Sequence, residues 1–138
     1  MKYFQDFTPE ERGLAYKAVW QHVERHKQHP FAEPDSYITI TSRIQDGTLK
    51  AALIAGYFVV FDVGPTWCTT GNLLYELLLL RVTTDGGFDA YVDGLVEIAK
   101  AHDCSSIMTG NGVLRPGLRR QYERRGFSLI NESYYRRV

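Results

Sequence analysis

Residues 73–82 read Leu-Leu-Tyr-Glu-Leu-Leu-Leu-Leu-Arg-Val, an almost continuous apolar run. No other stretch of the chain restricts the fold as much. The run falls well short of the ~20 residues that cross a bilayer, and it lacks the in–out alternation of a half-exposed strand. It therefore predicts a central strand covered on both faces, which places the chain in the α/β class. Glu76 is the only charge between Gly71 and Leu80.

The flanking segments supply the other layers. Residues 2–7 suit a first strand. Thr8-Pro9-Glu10-Glu11 combines a capping Thr, Pro at the first helical position and Glu at the third. Leu14, Ala15, Ala18, Val19, His22 and Val23 then recur at helical spacing, predicting one amphipathic helix over residues 9–28. Pro30 and Pro34 break it into a loop over 29–35. Residues 37–44 carry β-branched side chains at alternate positions and read as a strand, with Asp46-Gly47 as a hairpin turn. Residues 49–63 read as one long bent strand or two short ones meeting near Gly56, and 64–72 as a loop. After the central strand, 83–87 form a turn. Phe88, Tyr91, Val92, Leu95, Val96 and Ala99 then mark a helix to about residue 102. Residues 105–109 suggest a short strand. Pro116 suits a helix start, Gly126 a left-handed helix end, and 127–135 a last strand. The predicted order is β–α–β–β–β–α–β–α–β.

A chain of 138 residues supports one domain with one core. No apolar run is long enough to span a membrane, and the charged start Met1-Lys2-Tyr3 is unlike a signal peptide. Cys68 and Cys104 are too few for a disulfide framework and lack metal-ligand spacing, so a soluble, cytoplasmic protein is expected. The net charge of zero hides an asymmetry. Residues 115–138 carry seven Arg against two Glu, whereas 1–114 carry nine basic against fourteen acidic residues. The arginine-rich helix between Arg115 and Arg125 is either a solvated face or a surface for an acidic partner. It has no recognisable DNA-docking motif, and nucleic acid is not an expected partner. His22, His26 and His29 share a helical spacing, but no further ligand completes a metal site, and none is expected.

The C-terminal order, strand, Gly110-Asn111, helix, Tyr122-x-x-x-Gly126-Phe127, resembles the end of the GNAT superfamily of acyl-CoA N-acyltransferases. The element order is similar to that family over nearly the whole chain, with the usual second N-terminal helix missing or reduced to residues 30–35. The resemblance implies a single GNAT-like domain over residues 1–138, with a mixed, largely antiparallel sheet and helices on both faces. It implies acetyl transfer from acetyl-CoA to an amine, with loops 28–36 and 64–72 selecting a small-molecule or protein acceptor. Compact, divergent proteins of this fold also occur among phage-encoded proteins, where the implied alternative is a non-catalytic protein that binds a host partner.

Each functional group has a candidate. Glu76 occupies the place on the fourth strand where some GNAT enzymes carry a glutamate base, and burial there raises a carboxyl pKa. Alternatively, it lies at an exposed strand end or pairs with an Arg. Tyr122 corresponds to the acid that protonates the leaving thiolate; alternatively, it is a core tyrosine bonded to backbone. Asn111 matches the residue where a strand opens onto the cofactor. Leu80 and Val82 correspond to positions whose main chain runs along pantetheine. Thr84, Gly86 and Gly87 lie in the turn that holds the pyrophosphate at a helix start. That turn departs from the family pattern: it lacks the usual Arg or Gln, and it carries Asp85 and Asp89.

Overall fold

A computed structural model of the chain describes residues 1–110 and 115–138. Five strands form one sheet in the order β1-β2-β3-β4-β5. They are β1 (Lys2–Tyr3), β2 (Lys50–Ile54), β3 (Tyr57–Gly64), β4 (Asn72–Arg81) and β5 (Cys104–Met108). β1 to β4 pair antiparallel in sequence, and β5 lies parallel to β4. Four helices cover the sheet: α1 (Pro9–Arg25), α2 (Ser36–Gln45), α3 (Phe88–Ala101) and α4 (Leu118–Arg124).

The strand pleat sorts the core into two layers. Phe58 and Val60 of β3 face α1 and α2 with Ala15, Val19 and Ile44. Val59 and Phe61 face α3 with Tyr91, Leu95 and Ile98. β4 contributes to both layers, so the apolar run 73–82 is the covered central strand that its composition predicts. The mixed, largely antiparallel sheet with helices on both faces is as expected. α1 starts with a full capping box: Thr8 accepts from the Glu11 amide and Glu11 accepts from the Thr8 amide. Among the described residues, no helix is long and apolar enough to cross a membrane.

Five local readings need correction. Residues 37–44 are helical, within α2, and supply the second N-terminal helix that the sequence appeared to lack. The side chains that turn inward, Tyr37, Ile40, Thr41 and Ile44, recur at helical spacing. The Thr41 hydroxyl donates to the Tyr37 carbonyl one turn back, which accommodates a β-branched residue inside the helix. Asp46-Gly47 accordingly ends that helix instead of turning a hairpin, with Gly47 at φ +81. β1 is only two residues long because the chain enters a 3-10 turn at Phe4–Asp6. Residues 127–135 form no strand: beyond Phe127 every side chain of the segment is exposed and finds no apolar layer to pair over. α4 starts at Leu118, two residues after Pro116, because Gly117 at φ +78 takes the cap position.

Candidate active site

The site begins with a break in the β4 ladder. Val60 pairs with Leu78 and Phe61 with Glu76, leaving Leu77 without a partner on β3. This is a β-bulge, and its extra residue inverts the in–out alternation. Leu74 faces α3 before the bulge and Leu79 faces it after, five residues on. Leu77 is pushed outward and is 54% exposed. β4 also parts from β5 here. Their pairing ends at Tyr75 and Met108, while β4 continues to Arg81. Among the described residues, positions 76–81 thus have β3 on one side and an open edge on the other.

The Glu76 carboxylate sits at this fork. One oxygen accepts a hydrogen bond from the Tyr122 hydroxyl at 2.5 Å, and the other accepts one from Tyr91. Burial pushes the carboxyl pKa up, against the opposing pull of Tyr122, Tyr91 and the Arg115 charge. Burial and the adjacent carboxylate push both tyrosines up as well, so both hydroxyls keep their protons and donate. Glu76 is thus bonded by two tyrosine hydroxyls and feels the Arg115 charge, and the Tyr122 hydroxyl bonds a side chain, that of Glu76. Tyr91 is fully buried on α3 and stacks obliquely on Tyr57.

The Tyr-x-x-x-Gly-Phe motif is a helix stop that aims Tyr122. The Phe127 amide donates to the Tyr122 carbonyl and the Gly126 amide to Glu123, with Gly126 at φ +89. These two bonds define a Schellman motif, whose usual companion is an apolar contact between its end residues. Here that contact is Phe127 edge-on against the Tyr122 ring at 5.1 Å, with Phe88 closing the other side at 5.2 Å. Arg125 then ties α4 to α3 through Asp93 and Asp89.

A cavity of about 430 Å³ opens beside the bulge, between β4, α1, α2 and the start of α4. Glu76 and Leu77 contribute to its lining, as do His22, His26, His29 and Arg115. His22 and His26 lie one turn apart with ring centroids 4.6 Å from each other. Burial holds the His22 pKa down at about 4, helped by the charges of His26, Arg115 and Arg25. At neutral pH His22 is uncharged. The described residues hold no cluster with metal-binding geometry.

The turn after β4 is tied to the β2–β3 turn. The Val82 and Thr83 amides donate to the Gly56 carbonyl. Arg81 lies over the Tyr57 ring and donates to the carbonyls of Ala55 and Gly86. A Cβ on Gly56 would collide with the Asp85 carbonyl oxygen, and one on Gly86 would come within 2.8 Å of the Ala55 side chain. Gly87 caps α3 with no side-chain hydrogen bond. Of the acidic residues, Asp85 accepts from Thr83 and Asp89 pairs with Arg125. Thr84 is exposed and Leu80 is buried toward α1 and α2. Asn111 lies outside the described residues.

The fold brings Glu76 and Tyr122, 46 positions apart, into direct contact. Leu80, Val82, Thr84, Gly86 and Gly87 follow one another along β4 and into α3. Sequence reasoning missed Tyr91 and Arg81. Tyr91 sits on the apolar face of α3, where only its hydroxyl distinguishes it from core.

No family model and no curated protein matches the chain. Solved structures do, in 22 chains. The chain has the GNAT fold. A ribosomal-protein-alanine N-acetyltransferase from Brucella melitensis biovar Abortus 2308 superposes with a TM-score of 0.62 at 20% identity, over 92% of this chain and 94% of that one. A Trypanosoma brucei acetyltransferase gives 0.57 at 12% identity, over 89% and 94%. A probable acetyltransferase gives 0.67 at 13% identity, over 100% and 98%. At such identities the GNAT likeness is one of fold.

Proposed function

We propose that the protein is an N-acetyltransferase that moves acetyl from acetyl-CoA to a primary amine. The observation that carries this reading is the direct Tyr122–Glu76 hydrogen bond at the point where β4 and β5 part. A base and an acid are thereby joined in one relay. Glu76, directly or through a water, takes the proton that the amine loses as its nitrogen bonds to the thioester carbonyl carbon. Tyr122 gives its proton to the sulfur as the carbon–sulfur bond breaks, and recovers one from Glu76. One proton leaves the amine and one arrives on CoA, so the site returns to its starting state. Leu77 has no partner on β3, and its backbone amide is our candidate for stabilising the charge that develops on the carbonyl oxygen.

The edge of β4 that is open among the described residues fits the pantetheine arm, with Leu80 and Val82 beside it; the part of Asn111 rests on the family resemblance alone. Gly86, Gly87 and Thr84 fit the pyrophosphate at the start of α3, where no side chain caps the helix. The engagement of Asp89 by Arg125 softens the negative charge there. The free thiols Cys68 and Cys104 suit a cytoplasmic protein.

The second reading is a non-catalytic protein, possible for a phage product directed at a host protein, that docks through the helix between Arg115 and Arg125. It is favoured by the Val82 and Thr83 amides and the Arg81 guanidinium being spent within the fold. Titration of acetyl-CoA separates the two. At 100 times its Kd it should stabilise the fold by about 2.7 kcal/mol. Silence at millimolar acetyl-CoA would reject acetyl transfer.

A further inference from the structure

The cavity beside the bulge is walled in a way that disfavours a polybasic acceptor. Glu76 is the only carboxylate among its described lining residues, and both its oxygens already accept tyrosine hydrogen bonds. Arg115, His22, His26 and His29 share the same wall, and Arg25 adds its charge to the field at His22. Apart from Ser36 and Gly110, the rest of the described lining is apolar, with Val23, Phe31, Ile40, Leu77 and Leu118. Among the described lining residues, a polyamine finds one carboxylate for its reacting nitrogen and no second one for another positive charge. The field acts on the wall itself: burial first, then the charges of His26 and Arg115, hold the His22 imidazole neutral. An anionic group would reverse that balance.

We propose that the acceptor is a small zwitterion, an α-amino acid with an apolar side chain, its amine at Glu76 and its carboxylate held by Arg115 and His26. This assignment rests on the acetyl-transfer reading. A guanidinium beside a carboxylate gives short, directional, charge-assisted bonds, which fix the amine relative to the base. The volume, about 430 Å³, lies in the range of about 300–1,000 Å³ typical of small-molecule sites and accepts one such amino acid. The apolar wall takes its side chain.

The test uses the unmodified protein without acetyl-CoA, so that cavity chemistry is read apart from acetyl transfer. L-Phenylalanine, L-phenylalaninamide and putrescine are titrated by calorimetry, and the His22 ring proton is followed by NMR across pH. Phenylalanine should bind at least tenfold more tightly than its amide, putrescine should give no heat, and bound phenylalanine should raise the His22 pKa from about 4. Arg115→Gln should weaken phenylalanine at least tenfold and leave the amide unchanged. Equal binding of acid and amide, preference for putrescine, or no heat from phenylalanine at tens of millimolar overturns the assignment. Phenylalanine binding with no response to acetyl-CoA rejects acetyl transfer instead. A response to acetyl-CoA without phenylalanine binding rejects the assignment alone.

Discussion

Replacing Tyr122 by Phe keeps the ring between Phe88 and Phe127 and deletes the hydroxyl that donates to Glu76 at 2.5 Å. A hydrogen bond to a charged group contributes about 1.5–3 kcal/mol. Glu76 keeps its bond from Tyr91, so about 2 kcal/mol of stability should be lost. In a domain of 138 residues that lowers Tm by roughly 5–10 °C. Tyr91→Phe is the matched control. It removes the other hydrogen bond to the same carboxylate, from a residue with no exposed surface, and should cost similar stability. The two variants part in turnover, read by trapping released CoA with a thiol reagent. Tyr122→Phe should lower kcat by about 10²–10⁴ with KM for acetyl-CoA unchanged. Tyr91→Phe should stay within about tenfold of the parent, since Tyr91 is fully buried and its hydroxyl is bonded to Glu76. Equal losses in the two would refute proton donation by Tyr122 and leave the orientation of Glu76 to explain both. Unchanged turnover in Tyr122→Phe would remove that residue from the reaction.

Three further outcomes test the frame around the site. His22 has its folded pKa lowered from 6.5 to about 4, so it contributes stability fully above pH 6.5 and loses it as pH falls toward 4. The displacement corresponds to about 3 kcal/mol, which solvent screening of a half-buried ring reduces to about 1–2 kcal/mol. Denaturant titrations at pH 7 and pH 4 should show His22→Gln losing less stability on acidification than the parent. Gly94→Ala places a Cβ into the Ile54 side chain where α3 crosses β2, and overpacking should cost about 1–3 kcal/mol by chemical denaturation. An increase in stability would mean that helix propensity outweighs that contact. Gly56→Ala combines φ +82 with a collision against the Asp85 carbonyl and should cost at least about 2 kcal/mol. It should also weaken acetyl-CoA binding in calorimetry by displacing the turn before α3; unchanged affinity would separate that turn from the cofactor.

The parts of the fold that were legible in the sequence are those where one physical signal acts alone. β4 followed from unbroken apolarity, α1 from a capping box, and α3 from its apolar stripe. α2 was misread because Ile38, Thr39, Ile40 and Thr41 carry a local β preference, whereas burial follows the longer spacing of Tyr37, Ile40, Thr41 and Ile44. Context outweighed propensity there. Glu76 stood out as a lone charge, but no local pattern announces a bulge, because Leu77 looks like its neighbours until β3 is laid beside it. Tyr91 was hidden for a related reason: its ring satisfies the helix stripe, and its hydroxyl finds a partner 15 positions away.

The clasp between Phe127 and Tyr122 makes the tail of the chain a lever. The ring that aims the hydroxyl belongs to the third residue beyond α4, and the eleven residues after it lie on the surface with exposed side chains. Force or crowding applied to that tail, by a fused tag, an immobilising surface or a bound protein, reaches the Tyr122 hydroxyl through Phe127, by its ring and by its amide bond to the Tyr122 carbonyl. Attachment at the opposite terminus would leave the hydroxyl's aim untouched.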